Sequence, residues 1–168
     1  KSMIELVKIK KFDDWSKFFI EYTNEHLTCP AIIDALYGIG FKGSLSPLEC
    51  AIVQDLNDML GLKVAVDIPS GVEANNGFVD SVAFNADITV TMHKPKYGHY
   101  IGKGKEYSGL VVPIDIGIPS FLETSYDFVP LIDEDSVSYP KRNQRYHKGK
   151  YGKIAIIAGS PGYTGAAI

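Results

Sequence analysis

Two carboxylates stand where ligand chemistry is commonly built. Asp34 closes the apolar run 29–34 and Asp67 closes the run 63–67, and both runs read as short strands. In an open parallel sheet, ligands bind outside the carboxyl ends of the strands. Neighbouring strands lie about 4.8 Å apart, so both side chains are expected at one rim. An Asp at such a place also caps ordinary turns, but here a glycine-bearing loop follows each one. Gly38-Ile39-Gly40-Phe41-Lys42-Gly43 comes after Asp34, and Ile68-Pro69-Ser70-Gly71 comes after Asp67. The first loop permits positive φ or close approach of main chain to ligand. Its N–H groups suit phosphate or ribose, with Lys42 as a cation. It matches neither the dinucleotide fingerprint nor the P-loop spacing, so a plain turn with a solvated lysine stays open. Ser70 adds a hydroxyl beside the two carboxylates, an all-oxygen set that favours a hard cation over zinc or copper.

The other polar groups carry less. His26, His93, His99 and His147 have no partner at metal or triad spacing, and no nucleophile elbow is present, so solvated or structural roles are expected for them. Lys94, Lys96, Lys103 and Lys105, interleaved with Tyr97 and Tyr100, read as a solvated basic loop, or else as a cationic stretch near ligand phosphates.

The elements that must position these groups follow an α/β pattern. Residues 5–9 suggest a strand. Residues 13–22 suggest a helix, with Trp15, Phe18, Phe19 and Tyr22 at helical spacing behind an Asp cap. The firmest element is a helix over 47–60: Ser46 as N-cap, Pro47 at its first position and Glu49 closing a capping box. Leu48, Ala51, Ile52, Leu56, Met59 and Leu60 form one apolar stripe, and Gly61 is expected to end the helix in αL. Strand, helix, strand across 29–67 is a βαβ crossover with parallel neighbouring strands. Runs 86–92 and 109–116 read as further strands, and Pro113 places the second at a sheet edge. Periodicity fades over 119–150, and a strand at 153–158 then enters another glycine loop.

The chain has 168 residues, 45% of them hydrophobic and 22% charged, which is globular composition. A net charge of -3 gives no global positive field for a phosphate backbone, so nucleic acid is not expected as a partner. Two cysteines make no disulfide framework, and no apolar run reaches membrane-spanning length. A soluble, cytoplasmic protein without a membrane partner is the expectation. With Lys1 at one end and a glycine turn at Gly165 near the other, the chain reads as a segment cut at both ends.

Taken in order, the motifs at 34–43, 64–72, 86–91, 94–98 and 115–119 resemble the second half of the NAD(P)H-hydrate epimerase domain. Residues 147–153, 156–160 and 163–167 resemble the opening of the ribokinase-like, ADP/ATP-dependent NAD(P)H-hydrate dehydratase domain. Their order is that of the bifunctional nicotinamide-nucleotide repair enzymes. The resemblance implies a Rossmann-like three-layer α/β sandwich, partial and mostly parallel, over 1–119, a linker over 120–145, and the start of a ribokinase-like α/β domain over 146–168. It implies epimerisation of the R and S forms of hydrated NADH and NADPH, coupled in a longer protein to dehydration at the expense of ADP or ATP with magnesium. Potassium ligands would be Asp34 and Ser70. Substrate contacts would come from Gly38, Ile39, Gly40, Phe41, Lys42, Gly43, Ser44 and Asp67, with Asp67 and Lys42 as the catalytic residues. Lys42 stands where the family loop has a basic or a small residue. The family's upstream phosphate loop, which adds a potassium ligand, is not among these residues, so this stretch alone is expected to be inactive. A homo-oligomer is compatible with the family. The alternative reading is a non-catalytic ligand-binding protein of the same fold.

Overall fold

A computed structural model describes residues 6–26, 29–123, 128–132, 136, 153, 155, 157–160 and 165. The chain divides into two compact units, Lys1–Leu122 and Glu123–Ile168. The expected strand and glycine loop over 153–165, and with them the ribokinase-like segment, lie largely outside the described residues.

Among its described residues the first unit has four strands: β1 (Ala31–Asp34), β2 (Leu62–Val66), β3 (Ile88–Met92) and β4 (Leu110–Ile114). They pair in chain order, β1-β2-β3-β4, and every pairing is parallel. Helix α2 (Pro47–Asp58) makes the crossover from β1 to β2, and α1 (Phe12–Glu25) precedes the sheet. The arrangement is the Rossmann-like α/β fold anticipated from sequence. β4 is an edge strand, where Pro113 can lack an N–H without cost to an inner ladder.

Local chemistry explains the boundaries. The Ser46 hydroxyl accepts from Glu49 N–H at 3.3 Å, and the Glu49 carboxylate takes Ser46 N–H at 2.7 Å, so both halves of the capping box at the start of α2 are made. α1 is longer than its apolar spacing suggested. Its N-cap is Lys11 rather than an Asp, and Asp14, at the third helical position, reaches back so that one of its oxygens accepts Lys10 N–H at 3.0 Å and Lys11 N–H at 3.2 Å. Of the strand expected over 5–9, residues 6–9 form none. Trp15 is buried on α1, and its indole N–H donates to Asp55 of α2 at 2.6 Å, tying the two helices together.

The predicted αL stop at Gly61 gives way to a different use of that glycine. α2 ends at Asp58, with Met59 extended, and Gly61 has φ +147. A Cβ on Gly61 would stand 2.0 Å from the Cys29 carbonyl oxygen, because the chain entering β1 passes directly beneath it. Gly61→Ala must therefore both strain the backbone and push main chain aside. We expect it to destabilise the unit by about 2–4 kcal/mol, read from chemical denaturation against wild type.

Strand alternation sorts the sheet into two faces. Ile32, Asp34, Ala65, Thr89 and Thr91 are buried. Ile32 and Ala65 join Phe41, Val53 and Phe84 in the main core. The opposite face exposes Ile33, Leu62 and Leu110. Register sets Asp34 beside Ala65, Val66 beside Val90 and Met92 beside Ile114. The loops leaving β1, β2 and β3 therefore open at the same rim.

Candidate functional site

Asp34, the last residue of β1, is 4% exposed. Its carboxylate accepts Ser70 N–H at 2.7 Å on one oxygen, and Ser70 Oγ–H at 2.6 Å with Leu36 N–H at 3.3 Å on the other. Ser70 Oγ in turn accepts Tyr37 N–H at 3.1 Å, which closes the loop after β1 onto the loop after β2. Burial pushes the Asp34 carboxyl above its ordinary value, opposed by the bonds from Ser70 and Leu36. Among the described residues, no cationic side chain pairs with Asp34. A buried carboxylate held only by neutral donors lacks a counter-charge. Free lone pairs remain on Asp34 and on Ser70 Oγ, oxygen donors of the kind a hard cation takes.

Asp67 follows β2 directly and has φ +70, a left-handed conformation that a non-glycine residue holds only when its surroundings enforce it. The enforcing contacts are specific. Its N–H donates to the Val90 carbonyl at 2.8 Å, and its own carbonyl meets His99 Nε2 at 2.9 Å. Its Oδ1 accepts Met92 N–H at 3.2 Å and forms an ion pair with Lys96 Nζ. Oδ2 has no partner among the described residues and points to Gly38, where a Cβ would stand 3.4 Å away. The first glycine of the loop thus keeps open the space beside this oxygen.

That loop is pinned at three points and exposed between them. Phe41 is buried in the main core, and its N–H closes a turn onto the Gly38 carbonyl at 3.0 Å. Tyr37 Oη–H donates to Glu49 at 2.5 Å, which holds the Glu49 carboxyl below its usual range. Gly43, at φ +84, donates its N–H to Glu73 at 2.8 Å. Ile39, Gly40, Lys42 and Ser44 are exposed. Lys42 bonds neither carboxylate; its charge acts on Glu73, whose carboxyl is lowered first by the Gly43 N–H, then by Asn76, and in small part by Lys42. The structure thus brings Asp34, Ser70, Gly38 and Asp67 to one rim and leaves Lys42 at its outer lip.

Sequence reasoning missed one residue: Lys96 is no solvated loop residue but the cation on Asp67. The available signal was the run Lys94-Pro95-Lys96-Tyr97-Gly98 directly after a strand end, at the same rim as both aspartates. Of the two roles expected for His99, the structural one holds, since it is 1% exposed. His99 Nδ1 accepts Lys96 N–H at 3.0 Å, so Nε2 carries the proton and donates to Asp67. Desolvation lowers the His99 pKa. The native state thus resists a proton that the unfolded chain takes up near pH 6.5, and this residue's contribution to stability is lost as pH falls below that value. Wild type should lose up to roughly 1.4 kcal/mol per pH unit more than His99→Gln between pH 6.5 and 5.5, read from paired denaturation curves.

The described residues contain no group of three His, Cys, Asp or Glu side chains placed to hold a metal, and both thiols are free. No helix among them is long and apolar enough to cross a membrane. The ADP, ATP and magnesium expected from the second resemblance concern residues outside the description.

Comparison with known proteins bears on this rim. Residues 3–98 match the family described as YjeF-related protein N-terminus. The bifunctional NAD(P)H-hydrate repair enzyme Nnr of Moorella thermoacetica is 36% identical over 138 residues, which is 80% of this chain and 26% of that protein. The Nnr of Thermofilum pendens is 38% identical over 138 residues, covering 82% of this chain and 26% of its own length. In Dictyoglomus turgidum, the Nnr protein is 33% identical over 173 residues, covering 98% of this chain and 33% of its own. The chain thus spans about a quarter to a third of the length of these relatives.

Proposed function

The chain belongs to the family of YjeF-related protein N-termini, and from that membership we propose that its rim epimerises hydrated NADH and NADPH. In the longer protein this activity feeds an ADP- or ATP-dependent dehydratase, with magnesium, that returns the usable cofactor. Residues 146–168 form the start of that second domain in this reading, and a cytoplasmic, reducing setting suits the free thiols of Cys29 and Cys50.

One observation carries the reading: an open carboxylate oxygen, Asp67 Oδ2, stands beside a glycine loop at the carboxyl ends of parallel strands. Hydration of the reduced nicotinamide ring places a hydroxyl on a ring carbon bonded to nitrogen, and the two epimers differ at that carbon. Inversion requires a bond at that carbon to break and re-form on the other face: the hydroxyl gives up its proton as the carbon–nitrogen bond opens to an aldehyde and the ring nitrogen takes a proton, and the reverse steps reclose the ring on the opposite face, returning the proton to oxygen. Asp67 is the side chain placed to exchange it, as a general acid–base group. The exposed loop around Gly38, Ile39, Gly40, Gly43 and Ser44 would hold the nucleotide by main-chain N–H groups, over Phe41 as its anchor. Lys42 would sit at the lip near ligand phosphate rather than at the reacting carbon.

Potassium would be held by Asp34 and Ser70, with remaining ligands from elsewhere in the longer protein. When bound, it would supply the counter-charge Asp34 lacks and fix the two loops together, with no redox role. The test is to incubate one pure epimer of hydrated NADH with the complete protein and separate the epimers chromatographically. The expected result is conversion to the mixture much faster than in buffer. A folded, complete protein that leaves the epimer at the buffer rate contradicts the proposal.

A further inference from the structure

Lys96 is left without a role by the sequence resemblance, yet it is a tightly held cation. Its ammonium has three donors, and all three are used: Asp67 Oδ1, Thr91 Oγ1 at 2.8 Å and the Met92 carbonyl at 3.0 Å. The side chain is 20% exposed. An ammonium so engaged has no N–H to offer a substrate unless it first releases Asp67. It is therefore poorly placed to act on the reacting atoms and well placed to aim something that does.

Its target is equally restrained. Asp67 is held at its N–H by Val90, at its carbonyl by His99 and at Oδ1 by both Met92 and Lys96. The acceptors of Lys96 come from the end of β3 and from the turn after β2, so a single ammonium staples two strand ends. Its compact, three-pronged donor geometry suits acceptors on separate segments better than a planar guanidinium would. We propose that Lys96 is the positioning residue of this site: it fixes the Asp67 carboxylate so that Oδ2 alone is presented beside Gly38. This rests on the epimerase reading given above.

The test uses Lys96→Met and Lys96→Arg in the complete protein. Lys96→Met is expected to lower kcat about 10- to 100-fold with KM changed less than about twofold, because a misaimed reacting group costs rate rather than binding. Lys96→Arg should recover part of that loss, since it keeps the charge near Oδ1. A second readout does not depend on turnover: 13C relaxation of the Asp67 carboxyl carbon should show order in wild type and mobility in Lys96→Met. Wild-type kcat in Lys96→Met, or a lowered kcat with Asp67 as ordered as before, overturns the proposal. Should Lys96→Met fail to fold, Thr91→Val removes one acceptor at equal volume and must loosen Asp67 in the same measurement; an unchanged carboxyl signal there also overturns it. A wild type without epimerase activity sinks the functional reading instead, and the relaxation data still decide the role of Lys96.

Discussion

Asp67→Asn in the complete protein is expected to reduce epimerisation of hydrated NADH by about 10²- to 10⁴-fold, the range over which a positioned acid–base group contributes. The substitution keeps the shape of the side chain and its contact with Met92 N–H, and the main-chain bonds to Val90 and His99 do not involve the carboxyl group. The left-handed backbone at residue 67 suits Asn at least as well as Asp. Folding should therefore be preserved, apart from the weakened pairing with Lys96 at a partly buried site. The check is a rate measurement with KM determined separately, alongside a melting curve. A large loss of kcat with nearly wild-type melting is the expected pattern, and a rate within a few-fold of wild type would remove Asp67 from the chemistry.

The second large effect is on stability. Asp34→Ala deletes the acceptor for Ser70 N–H, Ser70 Oγ–H and Leu36 N–H. A buried donor left unpaired costs about 1–3 kcal/mol. Losing a buried charge without a counter-ion offsets part of that, so a net loss of about 2–4 kcal/mol is expected. The same variant should separate cation binding from folding. Potassium should raise the wild-type melting temperature with the logarithm of its concentration above the dissociation constant and leave Asp34→Ala unmoved. The pH dependence follows from the raised Asp34 pKa. The native carboxyl binds a proton more readily than the unfolded one, so this group's contribution is fully present below its unfolded value of 3.8 and is lost as pH rises through the native value. Potassium favours the ionised form, so the cation and the proton should compete. Melting that ignores potassium in wild type would detach Asp34 and Ser70 from any cation role.

How much of this was legible in the sequence depended on distance along the chain. The start of α2 was readable because Ser46, Pro47 and Glu49 satisfy one another within one turn. The rim was readable because Asp34 and Asp67 each end an apolar strand, and parallel neighbours must place them together. The partnership of Lys96 with Asp67 was not readable, since 29 positions separate them and no spacing rule links a lysine to a carboxylate across two strands. His99 is buried only because the short turn Tyr97–His99 folds back on the end of β2, a tertiary event that leaves no period in the sequence.

The central claim is that Asp67 Oδ2 faces the reacting carbon across the space kept open by Gly38. A crystal structure of the complete protein with hydrated NADH bound tests it most directly. The account predicts the ring hydroxyl within about 2.6–3.2 Å of Asp67 Oδ2, with Lys96 still on Oδ1 and the nucleotide lying along the Gly38 to Ser44 loop. A nicotinamide ring bound elsewhere, with Asp67 Oδ2 in contact only with water, would contradict it.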